Sequence, residues 1–156
     1  MPYTYCRKIL KVFASLCFVS LIAHSSAAET SVKQKVAGIG GMFFRAEDPP
    51  ALAKWYDEHL GISPVPTTYE AQPWQQEAGA TVFAPFNKNT EYFGDKAKSW
   101  MINFRVHDLD AMVKQLKTAG IAVEVDPETY PNGRFARLTD PEGNPIQLWQ
   151  PIIGQE

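Results

Sequence analysis

Residues 41–58, GMFFRAEDPPALAKWYDE, change their periodicity part-way along. A short alternating run, as in a strand, ends at Asp48, a residue type that caps helices. Beyond it Leu52, Trp55, Tyr56 and Leu60 recur at helical spacing, Pro49 suits a first helical position, and Gly61 stops the pattern. Residues 101–118, MINFRVHDLDAMVKQLKT, read the same way: an alternating run, a cap at Asp108, a stripe of Leu109, Met112, Val113 and Leu116, and Gly120 at the end. At a fixed offset of 60 the two stretches share Phe44/Phe104, Arg45/Arg105, Asp48/Asp108, Ala51/Ala111 and Lys54/Lys114.

Each helix is followed by strand-like runs broken by turn residues. In the first copy these are 65–70, 74–77 and 80–86; in the second, 121–125, 133–139 and 145–150. Asp140-Pro141-Glu142-Gly143-Asn144 predicts a hairpin turn with positive φ at Gly143 or Asn144. The expected fold is α+β: two tandem β-α-β-β-β modules, about 36–86 and 99–151, joined by a polar linker at 87–98. Units this short predict one intimate domain.

The N-terminus has a different pattern. Arg7, Lys8 and Lys11 precede an apolar run over 12–23, and Ser26-Ala27-Ala28 supplies small residues at a cleavable spacing. The run is shorter than the roughly 20 residues needed to span a bilayer. Residues 1–28 are therefore read as a secretory signal peptide and 29–156 as the domain, exported to the periplasm or secreted, with no membrane attachment once the signal is removed. Cys6 and Cys17 both lie in the signal, so the exported domain holds no disulfide and relies on packing. Losing three of fifteen basic residues leaves twelve against seventeen acidic ones, net −5. Such a balance offers no basic face for phosphates and excludes nucleic acid as an expected partner. About 128 residues suit a single core.

The doubled module, the FRV-x-DLDA stretch with its Gly120-Ile121, and the closing DPEGNPIQLWQP together resemble the vicinal oxygen chelate superfamily. That group includes glyoxalase I, bleomycin-binding, fosfomycin-resistance and extradiol dioxygenase proteins. The resemblance covers nearly all of residues 36–151. It implies strands arranged as a cupped, open-barrel sheet whose metal ligands come from the first and last strands of each module. Those positions fall on Gly41, Thr81, Met101 and Gln147. Divalent metals take carboxylate, imidazole or thiolate donors; glycine offers nothing, thioether and hydroxyl are weak, and a glutamine amide lacks a charged partner here. His59 and His107, the histidines of the exported chain, fall on the first helix and beside the second helix cap. The metal site is read as lost, and no cofactor is expected.

The same positions assign the faces. Phe43 and Arg45 alternate onto the cup with Gly41, Asn103 and Arg105 with Met101, Phe83 with Thr81, and Trp149 with Gln147. The opposite set, Met42, Phe44, Val82, Ile102, Phe104, Val106, Ile146 and Leu148, is uniformly apolar and suits burial beneath helices. The expected ligand-binding residues are Phe43, Phe83, Met101, Asn103, Arg105, Gln147 and Trp149. Aromatics can sandwich a flat ligand, amides can hydrogen-bond it, and Arg45 or Arg105 can meet a carboxylate. Equally, the aromatics can fill a collapsed groove and the arginines can pair with Glu47 or Asp108. In Arg134-Phe135-Ala136-Arg137, Phe135 and Arg137 share one face, which the residues alone do not assign as inner or outer. The linker aromatics Tyr92, Phe93 and Trp100 are placed to cover the groove.

Three functions follow. The first is a metal-free binding protein for a small, partly aromatic or acidic molecule. The second is a lyase, isomerase or dioxygenase whose metal site is rebuilt from Gln147 with Glu70 or Glu77. The third is an accessory domain with a closed groove. No serine or cysteine nucleophile stands near a usable base, and Glu124, Asp126 and Glu128 read as a solvated face. The resemblance also implies a homodimer.

Overall fold

A computed structural model describes residues 33–152. The proposed signal segment lies outside them. The chain divides into two units, 1–41 and 42–156; the described part of the first carries neither helix nor strand. The second holds helix α1 (Pro49–Leu60), strand β1 (Ile102–Arg105), helix α2 (Leu109–Thr118) and strands β2 (Glu124–Val125), β3 (Arg134–Thr139) and β4 (Pro145–Gln150). The fold is α+β, with one four-stranded mixed sheet in the order β1-β4-β3-β2. β1 runs parallel to β4, and the other pairs are antiparallel.

Both helices start where their caps predict. Asp48 accepts from Ala51 N at 3.1 Å and Asp108 from Ala111 N at 2.9 Å, each satisfying a donor with no partner inside the helix. Gly61 closes α1 in the left-handed conformation. Leu52 and Tyr56 of α1 join Leu109, Val113 and Leu116 of α2 in one core with Ala136, Leu138, Ile146 and Leu148 of the sheet. Leu109, Leu116, Ile146 and Leu148 are fully buried; each burial stabilises by about 1.5–3 kcal/mol. The whole second module thus forms as its pattern predicts, with the predicted run 121–125 shortened to Glu124–Val125.

The first module differs from expectation. It forms its helix, but none of its strand-like runs, at 36–46, 65–70, 74–77 or 80–86, pairs as a strand among the described residues. A strand exists only with a partner, and Pro64, Pro66, Pro73 and Pro85 each remove a ladder donor from this copy. In β4 the proline stands at the first position, where it is tolerated. The sheet is accordingly open and does not close into a barrel.

The first copy is anchored instead at the β3–β4 turn. The Glu142 carboxylate accepts from Glu47 N and Asp48 N at 3.0 Å. Beneath it Tyr56 donates to Asp140 Oδ2 at 3.0 Å. Burial, and next the negative charge of Asp140, hold the Tyr56 hydroxyl protonated far above its ordinary range. In the unfolded chain it ionises near pH 10, so above that pH the unfolded state holds fewer protons and stability falls. Tyr56→Phe should cost about 1 kcal/mol at neutral pH and flatten the decline of unfolding free energy above about pH 10. Denaturant titrations from pH 8 to 11 check this; parallel profiles for the two proteins would contradict it.

Candidate functional site

The register of the sheet assembles one polar and aromatic face opposite the core. Asn103, Gln147 and Arg137 are successive partners across β1, β4 and β3, and Arg105, Trp149 and Phe135 form the next row. Side chains of one row share a face. The intervening residues, Ile146, Leu148, Ala136 and Leu138, turn to the core. Strand parity in the second module therefore places Asn103, Arg105, Gln147 and Trp149 together.

Gln147, 5% exposed, is the centre of this face. Its Oε1 accepts from Asn103 Nδ2 at 2.7 Å, and its Nε2 donates to the Tyr92 hydroxyl at 2.8 Å. Arg137 lies with its guanidinium carbon 4.2 Å from the Tyr92 ring centroid and donates from Nη1 to Tyr92 O at 3.0 Å. Tyr92 stacks on Phe86 at 5.0 Å and 16°. Trp149 stacks on Phe135 at 6.3 Å and 7°, and its Nε1 donates to Asn132 O at 2.7 Å. The indole plane is thereby held, with its one polar atom already satisfied.

Two of the remaining expected residues sit elsewhere. Phe43 and Phe83, in unpaired runs of the first copy, are 94% and 88% exposed and are not brought to Gln147. Met101 is half-buried just before β1. Arg105 donates to the backbone oxygens of Ala78 (3.0 Å) and Glu77 (2.6 Å), so its partners are carbonyls and neither Glu47 nor Asp108. Arg137, Phe135 and Tyr92 complete the face; the β3–β4 hairpin settles the inward side of Arg137, since Arg137 pairs with Gln147. Arg134 points the other way, to Asp110, and its hydrogen bonds hold that carboxyl below the usual range. Of the acids weighed for a rebuilt metal site, Glu77 meets His107 at 2.9 Å, and Glu70 is held below its usual range by hydrogen bonds from its own backbone and Thr68. Among the described residues no three His, Cys, Asp or Glu side chains gather as a metal-binding group. No helix among them is long and apolar enough to cross a membrane. Two shallow depressions of about 280 and 450 Å³ flank α1 and the β3–β4 turn; Gln147 lines neither.

A family model described as a glyoxalase-like domain matches residues 41–149. The chain belongs to that glyoxalase-like domain family. The anthracycline biosynthesis protein DnrV of Streptomyces peucetius is 35% identical over 85 residues, 54% of this chain. Those residues span 24% of DnrV, so this chain corresponds to about a quarter of it. Among solved structures, a protein from the mobile metagenome of V. Pseudocholerae shares the fold with TM-score 0.50 at 19% identity, covering 76% of this chain and 98% of that one. TnmS3, an antibiotic binding protein from Streptomyces sp. CB03234, is 40% identical where it aligns, over 35% of this chain and 45% of that chain, with TM-score 0.32.

Proposed function

We propose that this glyoxalase-like chain is an exported, metal-free protein that binds a small, partly aromatic or acidic molecule against β1, β4 and β3, and that it acts as a homodimer. The observation that carries the reading is the composition of that face: Asn103, Gln147, Arg137 and Arg105 stand beside Trp149 and Phe135. Fixed amides and cations beside aromatic planes bind and orient a ligand, yet they supply no nucleophile or general base. A divalent metal fits poorly. Gly41, Thr81 and Met101 offer no charged donor, and the amide oxygen of the fourth position, Gln147 Oε1, is engaged by Asn103. The partial likeness to a protein of anthracycline biosynthesis supports a planar, oxygen-bearing ligand. Export is supported by the charged, apolar and small-residue order of 1–28. Self-association is supported by the exposed apolar side chains Phe43, Val65, Val82 and Phe83.

One preparation tests these points. The chain is expressed whole and recovered from the periplasm or medium, where its mass should begin at Glu29. After dialysis against a mild chelator it should hold no stoichiometric transition metal and should sediment as a dimer. A panel of aromatic acids, phenols and quinones should include compounds that raise its melting temperature, and Gln147→Ala should weaken their binding about tenfold for the lost amide contact. Retained metal would overturn the metal-free reading, and a panel without a single stabilising compound would overturn the binding reading.

A further inference from the structure

We infer that Tyr92 is an internal stand-in for the ligand of this face, which takes a planar aromatic ring bearing an acceptor oxygen, a phenol or quinone, and binds it by displacing the Tyr92 ring. The inference rests on the binding reading above and names its ligand class.

Tyr92 belongs to the 87–98 linker, which carries neither helix nor strand. Its turns are closed locally by Asn87, Thr90 and Asp95 side chains accepting from Asn89 N, Tyr92 N and Ala97 N. From this irregular segment one phenol reaches the ordered face. Its oxygen accepts from Gln147 Nε2, its ring meets the Arg137 guanidinium, and it stacks on Phe86. Apart from the Arg137 Nη1 bond to the Tyr92 backbone oxygen, these contacts require no peptide, and each is available to any flat ring with an oxygen on its edge. The polarity of the site is also set. Asn103 occupies the Gln147 oxygen, so at the Tyr92 position the face presents the Gln147 N–H and the Arg137 cation, and both select an acceptor. Tyr92 itself is 37% exposed while the amide beneath it is buried. A ring at the surface therefore satisfies a buried donor, and an incoming ligand must match its hydrogen bond or leave that donor unpaired. Competition with an internal group lowers apparent affinity by the fraction of molecules in which the site is open.

The test compares the exported wild-type chain with Tyr92→Ala and Tyr92→Phe, using 2-naphthol, naphthalene and p-cresol as probes. Calorimetry reads affinity, and the Gln147 side-chain amide resonance reads location. Tyr92→Ala should bind 2-naphthol about tenfold more tightly than wild type, as expected if the internal ring closes about nine-tenths of wild-type molecules. Naphthalene should gain much less. p-Cresol, the tyrosine side chain itself, should move the Gln147 amide signal in Tyr92→Ala and leave it unmoved in wild type. Tyr92→Phe keeps the ring without its oxygen and should fall between the two, which preserves the comparison if the alanine variant folds poorly. Equal or weaker binding by Tyr92→Ala would overturn the stand-in role. If the wider panel stabilises the protein while these probes leave the Gln147 amide still, this inference fails alone; if nothing in the panel binds, the binding reading fails with it.

Discussion

Asp140→Ala is expected to lower the free energy of unfolding by about 3–5 kcal/mol. Asp140 is 4% exposed and accepts four hydrogen bonds: from Tyr56 OH at 3.0 Å, Glu142 N at 2.9 Å, Asn144 N at 2.9 Å and Asn144 Nδ2 at 2.8 Å. Alanine would strand all four donors, and each buried donor without a partner costs about 1–3 kcal/mol, partly recovered as the turn relaxes toward water. The loss should spread beyond the turn. Tyr56 ties α1 to it, and Lys98 donates from Nζ to Asn144 Oδ1 and Glu142 O at 3.0 Å, tying in the end of the linker. Asp140→Asn retains acceptor oxygen and should cost distinctly less. Urea titrations of the single variants and of the double variant with Tyr56→Phe check this, because residues in one network couple non-additively. A loss under 1 kcal/mol would mean that the turn does not anchor α1.

Gly133→Ala is expected to cost about 2–4 kcal/mol and to unseat Trp149. Gly133 has φ 134°, a region that side-chain-bearing residues rarely adopt. An added Cβ would overlap the Gln150 carbonyl oxygen and come within 2.6 Å of Trp149 Nε1. The first of these is backbone of β4 and has little room to yield. The indole is seated by its bond to Asn132 O, the residue next to Gly133. Two readouts follow: a lower melting temperature, and a change in tryptophan emission as the indole loses its stacked, buried position on Phe135. Unchanged emission with normal stability would show that the 132–133 segment does not position Trp149. Because Trp149 lies beside Arg105 and one row from Gln147, the same variant should also weaken any ligand the panel identifies.

Much of the second module was legible from pattern alone. The two aspartate caps, the Asp140–Asn144 turn and the alternation of 145–150 depend on neighbours a few residues apart, so their geometry is encoded locally. Parity in β1 and β4 was readable for the same reason, and it places Asn103, Arg105, Gln147 and Trp149 on one face. Parity failed to locate Phe43 and Phe83. Alternation assigns faces only to a segment that is a strand, and these runs have no strand partner among the described residues. Arg105 shows a similar gap. Its charge suggested an acid, but carbonyls of the 77–78 segment meet it instead, a contact some 27 residues distant that no local pattern encodes.

Sequence by itself was enough to determine the family, the α+β class, both helices and the alternation of the second module's strands, because periodicity, caps and turn chemistry act over one or two turns of chain. Tertiary structure alone decided that Arg137 shares the face of Gln147, that the linker lays Tyr92 across them, and that the first module contributes a helix without a sheet. Those outcomes depend on pairings between segments tens of residues apart, whose energies arise only once the chain has folded.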